Sequence, residues 1–163
     1  MDCLGPGAGR LGLGSSIDAM KEPFKFSART RVGFSDTDAQ GIVYYGRYLP
    51  YFDLARVEYH RKLGLLGMEI GPGVEFVMRA IAVEFHAPAV FDDEIEVHVR
   101  VARIGNTSAT YEFAAYRARD DVLMVNATQT LVLVDLEERK ACQIPDEFRQ
   151  RIRAFEGDDV AAQ

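Results

Sequence analysis

Two aspartates and a run of tyrosines lie close together in one segment, where a predicted turn leads into a helix. Residues 35–48 read SDTDAQGIVYYGRY, which places Asp38 and Gly41 in the turn and tyrosines at the start of the helix. A carboxylate beside a helix N-terminus combines a group that attacks or deprotonates with N–H donors that stabilise an oxyanion. The alternative is a purely local role, with the aspartate as the helix N-cap.

The rest of the chain predicts one long helix and a set of strands that position this segment. Apolar residues recur at three- and four-residue steps over about 47–63, which predicts the helix. A short amphipathic helix is predicted after Pro145. This order belongs to the α+β class, with an antiparallel sheet packed on the long helix and its other face left for solvent or a second subunit. The strands are predicted over 24–34, 74–85, 95–101, 110–118 and 122–134.

Three histidines have different predicted settings. His60 follows the helix pattern beside charged residues, so we expect a solvent-exposed or interface position. His98 alternates with valines in its strand, which places it on the face expected to be wet. His86 ends the second strand, where it either lines a pocket or packs against its neighbours.

Composition and length narrow the classes of protein. The chain has 163 residues, which suits one domain, and its formal net charge of -6 argues against a nucleic-acid-binding face. Two cysteines and no long apolar run predict a cytoplasmic protein with reduced thiols and no integral membrane segment. We expect a flexible Gly-rich N-terminal tail over 1–20, a single domain over 21–157 and a C-terminal tail over 158–163.

Two segments resemble a known family. They are RVGFSDTDAQGIVYYGRYLPYFDLARVEYHRKLG at 31–64, and GVEFVMR at 73–79 continuing through VEFHAPA at 83–89 to Asp92 and Asp93. Together they resemble the 4-hydroxybenzoyl-CoA thioesterase-like branch of the hotdog superfamily, which includes the Tol-Pal-associated acyl-CoA thioesterases. The resemblance implies a hotdog fold, a five-stranded antiparallel sheet wrapped around one long central helix. It also implies a homodimer that pairs further into a tetramer, with active sites at the subunit interface.

The resemblance also assigns roles within the first segment. Asp38 would attack the thioester carbonyl or activate water, and the Tyr45 backbone N–H would polarise the carbonyl oxygen, while Asp36 would be structural. An unperturbed aspartate titrates near pH ~3.9, so it is ionised at neutral pH and needs no separate base. Part of the family has histidine where this chain has Tyr45, a change that a backbone contribution tolerates. No metal or redox cofactor is required, since coenzyme A is part of the substrate.

Further residues follow from the same resemblance. Arg103 and Lys140 fall near positions where relatives grip the phosphates of coenzyme A, and Glu58 is expected to pair with an arginine. The expected activity is hydrolysis of an acyl- or aroyl-CoA thioester to the free acid and coenzyme A. Two alternatives stay open: a thioesterase acting on acyl groups held by acyl carrier protein, and a non-catalytic module that binds acyl-CoA.

Overall fold

A long helix forms the centre of the molecule and confirms the helix predicted from the sequence. In the computed structural model, which describes residues 21–162, helix α1 spans Tyr48–Lys62 and is preceded by a 3-10 turn at Tyr45–Arg47. The tail expected over 1–20 lies outside the described residues. Gly64, at φ 68°, follows the helix in a left-handed conformation that glycine adopts without strain. The buried face of α1 consists of Tyr48, Tyr51, Phe52, Ala55 and Tyr59.

A curled antiparallel sheet packs against this helix. Its five long strands run in the order β1-β3-β4-β5-β2, so that β1 and β2 form its edges, and α2 (Asp146–Glu156) follows the last long strand. This arrangement confirms the α+β prediction of five antiparallel strands around one long helix. The strands of the described chain are β1 (Ser27–Arg31), β2 (Val74–Phe85), β3 (Glu94–Ile104), β4 (Ser108–Arg117), β5 (Val122–Asp135), β6 (Lys140–Ala141) and β7 (Ala161–Ala162).

Aromatic and β-branched side chains fill the space between helix and sheet. Phe52 of α1 is fully buried and packs on Phe113 of β4 with the ring centroids 5.0 Å apart. Alternate residues of β3 are also fully buried beneath the helix, as the two-residue period predicts. This core fixes the start of α1, and with it the turn that carries Asp38. The buried residues of β3 on this face are Ile95, Val97, Val99 and Val101.

The first strand and the outer face of β3 differ from the predictions. The strand predicted over 24–34 ends at Arg31, because residues 34–36 form a 3-10 turn that leaves the Phe34 side chain 82% exposed. The prediction that His98 is solvent-exposed was wrong, because its ring is buried between Phe24 and Tyr116, at centroid distances of 5.7 and 5.5 Å. The chain before β1 therefore covers part of the sheet face that the alternating pattern of β3 predicted to be solvent-exposed.

The two short strands extend the sheet at the C-terminal part of the chain. The β6 strand pairs with the end of β5, and β7 pairs in parallel with Arg103 and Ile104 of β3. Residues 161–162, which fall in the expected C-terminal tail, thus make backbone contacts with the domain.

The β2 strand is an exposed apolar edge. Its 12 residues pair with β5 on one side, and in the described chain no strand pairs with its other side. Apolar side chains along it remain accessible, including Met78 at 44% and Ile81 at 41% exposure. Free backbone groups beside exposed apolar side chains are typical of a strand that pairs with another chain.

A buried carboxylate joins α2 to the core. Glu156 is fully buried, and its Oε1 accepts hydrogen bonds from the Tyr59 hydroxyl at 2.6 Å and the Val101 N–H at 3.3 Å. Burial raises the pKa of Glu156 above its usual value; the two hydrogen bonds and the charges of Lys25 and Arg100 oppose this rise without cancelling it.

We expect Glu156→Gln to stabilise the protein at neutral pH. A carboxyl whose pKa is raised on folding binds its proton more tightly in the native state, so stability is lost as pH rises above the unfolded pKa. Glutamine keeps an acceptor for Tyr59 and Val101 without a buried charge. Urea unfolding at pH 7 and below pH 5 should show that the variant has a higher free energy of unfolding than wild type at pH 7, and that this difference is smaller at the lower pH. The exposed Glu137→Gln is the matched control, and a variant less stable than wild type at pH 7 would contradict the expectation.

Candidate active site

A tight turn holds the Asp38 side chain at the edge of the core. The Asp38 N–H donates to the Ile42 carbonyl at 2.9 Å, the Gly41 N–H donates to the Asp38 carbonyl at 3.0 Å, and Gly41 adopts a φ of 76°. The Gln40 N–H donates to Asp38 Oδ1 at 2.8 Å, and among the hydrogen bonds of residues 21–162 the other carboxylate oxygen accepts none. Asp38 is therefore oriented through one oxygen while the other is available to a ligand.

Asp38 is not the N-cap of the helix. The residue that precedes the 3-10 turn is Tyr44, and no side chain caps this end. The Tyr44 N–H donates to the Asp36 carbonyl at 2.9 Å, whereas the Tyr45 N–H has no acceptor within the described part of the chain. The first N–H groups of a helical segment have no partner inside it. The Tyr45 N–H is accordingly a fixed donor at the start of the helical segment that includes α1.

Asp38 and Tyr45 line one cavity of about 390 Å³. Its walls come from the turn, the start of α1 and the end of β2, where the rings of Tyr48 and Phe85 meet edge to face at 5.8 Å. One β-bridge and one hydrogen bond bring these parts together: Ile42 pairs with Val90, and the Val43 N–H donates to the Ala89 carbonyl at 2.9 Å. The remaining lining residues are Gln40, Ile42, Val43, His86, Ala87 and Pro88.

Asp36 stabilises the turn through contacts outside the cavity. Its Oδ2 accepts hydrogen bonds from the Gly33 N–H at 2.9 Å and the Tyr51 hydroxyl at 2.7 Å, and Arg47 Nε lies 3.5 Å from its Oδ1. Burial, followed by the hydrogen bond to Asp36, raises the pKa of Tyr51, so this phenol stays a neutral donor. Asp36 does not line the cavity, and its contacts are those of a residue that positions the segment.

The two residues predicted to bind coenzyme A phosphates lie outside this cavity. Arg103 is exposed near the end of β3, and Lys140 is exposed on β6, with its Nζ 3.1 Å from Glu138 Oε2. A second cavity, of about 230 Å³, adjoins Ile104 and includes Arg149 and Arg153. Within one chain, therefore, the structure brings Asp38 and Tyr45 together and leaves Arg103 and Lys140 apart from them.

The histidines are placed by long-range contacts that the sequence pattern did not show. His86 lines the Asp38 cavity, which is one of the two settings expected for it. The His60 ring is partly buried, and its Nε2 lies 2.8 Å from the Tyr111 hydroxyl, so a solvent-exposed position was wrong. Burial and the nearby charge of Arg56 lower the pKa of His60 to about 4, which keeps it neutral at neutral pH.

The described residues also include a structural ion pair on α1, but no candidate metal site and no membrane-spanning helix. Glu58 forms an ion pair with Arg61 one turn along α1, as expected. Among residues 21–162, no group of three or more histidine, cysteine or acidic side chains is placed to hold a metal ion. None of the helices in that range has the length and apolarity required to cross a membrane.

Comparisons with known proteins agree with this architecture. Residues 32–152 match the family model described as the thioesterase-like superfamily. The chain is 32% identical over 126 residues to the acyl-CoA thioesterase YbgC of Haemophilus influenzae, covering 76% of this chain and 91% of that protein. It is 31% identical over 125 residues to the acyl-CoA thioester hydrolase YbgC of Escherichia coli, covering 74% of this chain and 92% of that protein.

Solved structures provide an independent match. A hypothetical protein from Aquifex aeolicus superposes with a TM-score of 0.70 at 30% identity, covering 78% of this chain and 98% of that one. The family model spans most of the chain, including the Asp38 turn, α1 and the four long strands β2 to β5. The curled sheet around one long helix, the sequence relatives and the structural match agree, and the chain belongs to the thioesterase-like superfamily of hotdog proteins.

Proposed function

We propose that this protein is an acyl-CoA thioesterase, with Asp38 as nucleophile or general base and the Tyr45 N–H as the oxyanion donor. The observation that carries the proposal is the presence of both groups in the wall of one cavity of about 390 Å³. The sequence relatives in Haemophilus influenzae and Escherichia coli are named as an acyl-CoA thioesterase and an acyl-CoA thioester hydrolase, which supports the substrate class.

The geometry supports the reaction in the following way. A thioester carbonyl placed between Asp38 and the helix start would direct its oxygen toward the free Tyr45 N–H and its carbon toward the carboxylate. The negative charge that develops on the carbonyl oxygen would be stabilised by this fixed donor and by the helix N-terminus. Removing one such donor typically costs roughly 3 kcal/mol of barrier. The largely apolar walls, formed in part by Tyr48 and Phe85, suit the acyl or aroyl group.

A homodimer completes the proposed site, and such dimers would pair further into a tetramer. The free edge of β2 ends at Phe85, beside the cavity, so a second copy pairing along this edge would stand next to the opening. Arg103 and Lys140 are exposed and lie apart from their own chain's cavity. We propose that they meet the phosphates of coenzyme A bound at the partner's cavity.

A substrate panel tests the proposed activity. Purified protein is expected to release free thiol from at least one acyl- or aroyl-CoA, and more slowly from the same acyl group on acyl carrier protein. The acidic chain, with net charge -6, lacks the general basic excess that would attract an acidic carrier. Faster release from the carrier would support the carrier-protein alternative. Tight binding of acyl-CoA with no thiol release from any member would show the non-catalytic module instead.

A further inference from the structure

A second titratable side chain lines the cavity, and the roles proposed for Asp38 and Tyr45 leave it unused. His86 directly follows β2, and its backbone N–H donates to the Met124 carbonyl at 2.8 Å. The sheet therefore holds this histidine, whereas the loop before α1 holds Asp38. When two titratable groups from separate elements line one cavity, each can serve a different step of a two-step hydrolysis, one as the nucleophile and the other as the general base.

A chain of hydrogen bonds fixes the tautomer of this histidine. Asn126 of β5 pairs directly with Glu84 of β2, and its Nδ2 donates to Glu84 Oε2 at 3.3 Å. A carboxylate only accepts, so the amide must direct its NH₂ group toward Glu84 and its oxygen toward His86. His86 Nε2 is hydrogen-bonded to this amide oxygen, which also only accepts, so Nε2 carries a proton.

The second ring nitrogen is consequently the reactive one. Within the described residues, His86 Nδ1 has no hydrogen-bond partner. In the neutral imidazole with a proton on Nε2, Nδ1 has a free lone pair and acts as a base. His86 is exposed, so its side chain does not contribute to the packing of the core. Asn126, and Glu84 through it, orient the ring, an arrangement suited to proton transfer.

The charged and titratable groups around His86 come from four elements. Glu84, on β2, acts through Asn126, while Asp38, in the turn before α1, lines the same cavity. Arg117 of β4, which is ion-paired with Asp120, donates to the Pro88 carbonyl in the loop after His86 at 3.3 Å. Tyr48 of α1 lines the cavity too, and burial raises its pKa, so it stays neutral.

We propose that His86 is the general base of the hydrolytic step, so that Asp38 is the nucleophile. This inference rests on the proposed thioesterase function and deepens it. Asp38 would attack the carbonyl carbon, the C–S bond would break, and coenzyme A would leave as a thiolate from an acyl–aspartyl anhydride. Water would then add to the acyl carbon while His86 Nδ1 takes its proton. The anhydride C–O bond would break to release the acid and Asp38, and the imidazolium would return its proton to the thiolate.

Rapid-mixing kinetics with His86→Asn test the assignment. Thiol release from the best acyl-CoA of the panel should show a first turnover at the wild-type rate. It should be followed by a steady state slower by about 10²-fold, because general bases typically contribute 10²- to 10⁴-fold. An unchanged steady state would overturn the proposal, and so would a first turnover slowed together with the steady state. Wild-type protein that releases no thiol at all would instead contradict the thioesterase function itself.

A second variant keeps the histidine and changes only its environment. Asn126→Asp puts a carboxylate against Nε2, which favours the imidazolium, so the acid limb of the kcat pH profile should move to higher pH. The matched control is Thr128→Asp, which places the same charge one step along the exposed face of β5, opposite Ala82. A limb that moves in Asn126→Asp and stays in Thr128→Asp supports the base. A limb unmoved in Asn126→Asp, or moved equally in both, overturns it.

Discussion

Asp38→Asn is expected to lower steady-state thiol release by roughly 10³-fold or more, a larger effect than the about 10²-fold decrease expected for His86→Asn. An amide oxygen is neutral and neither attacks a thioester nor takes a proton from water at neutral pH. The replacement is nearly isosteric, and its Oδ1 still accepts the Gln40 N–H that orients the side chain. The turn should therefore persist, and the affinity for a non-hydrolysable acyl-CoA analogue should change little.

Asp36→Asn is the matched control for this change. Asp36 is two residues away and is engaged by Gly33, Tyr51 and Arg47 outside the cavity, so its loss should act on the position of the segment. We expect a smaller decrease in kcat together with a lower melting temperature. Activity retained in Asp38→Asn and abolished in Asp36→Asn would reverse the assignment of the two aspartates.

Met78→Lys is expected to convert the proposed dimer into monomers and to lower thiol release with it. Met78 lies on the free edge strand β2 with 44% of its surface exposed, so a lysine there stays solvated in a single chain. In a dimer paired along β2, the same charge would be buried without a partner, which costs roughly 3–5 kcal/mol. This corresponds to a dissociation constant higher by about 10²-fold or more.

Sedimentation equilibrium combined with the thiol assay measures this effect. Gln150→Lys introduces the same charge on the exposed side of α2, away from β2, and should leave both assembly and activity unchanged. A Met78→Lys protein that remains a fully active dimer would show that the chain does not assemble through this edge. A variant that is monomeric and fully active would show that one chain carries a complete site.

Elements encoded by local patterns were predictable from the sequence. Helix α1 matches the three- and four-residue steps to within one residue at each end, and the alternation over 95–101 lies within β3. The proximity of Asp38 to Tyr45 was predictable for the same reason, since only one turn separates them along the chain. These features depend on neighbouring residues, which the order of side chains specifies directly.

Features formed by residues far apart in the chain required the tertiary structure. His86 reaches the Asp38 cavity only because the Ile42–Val90 bridge draws the end of β2 against the turn, and its tautomer depends on Asn126 of a different strand. The ring of Phe24 buries His98 although the strand pattern assigned it to solvent.

The sequence by itself determined the helix, the strands and the aspartate at the helix start, because backbone periodicity and turn chemistry act between near neighbours. Only the tertiary structure decided which distant side chains share the cavity and which polar groups are buried. The Tyr59–Glu156 contact and the His86–Asn126 contact both depend on strand register and helix packing. These are set by the burial of the whole apolar face, and no single segment encodes them.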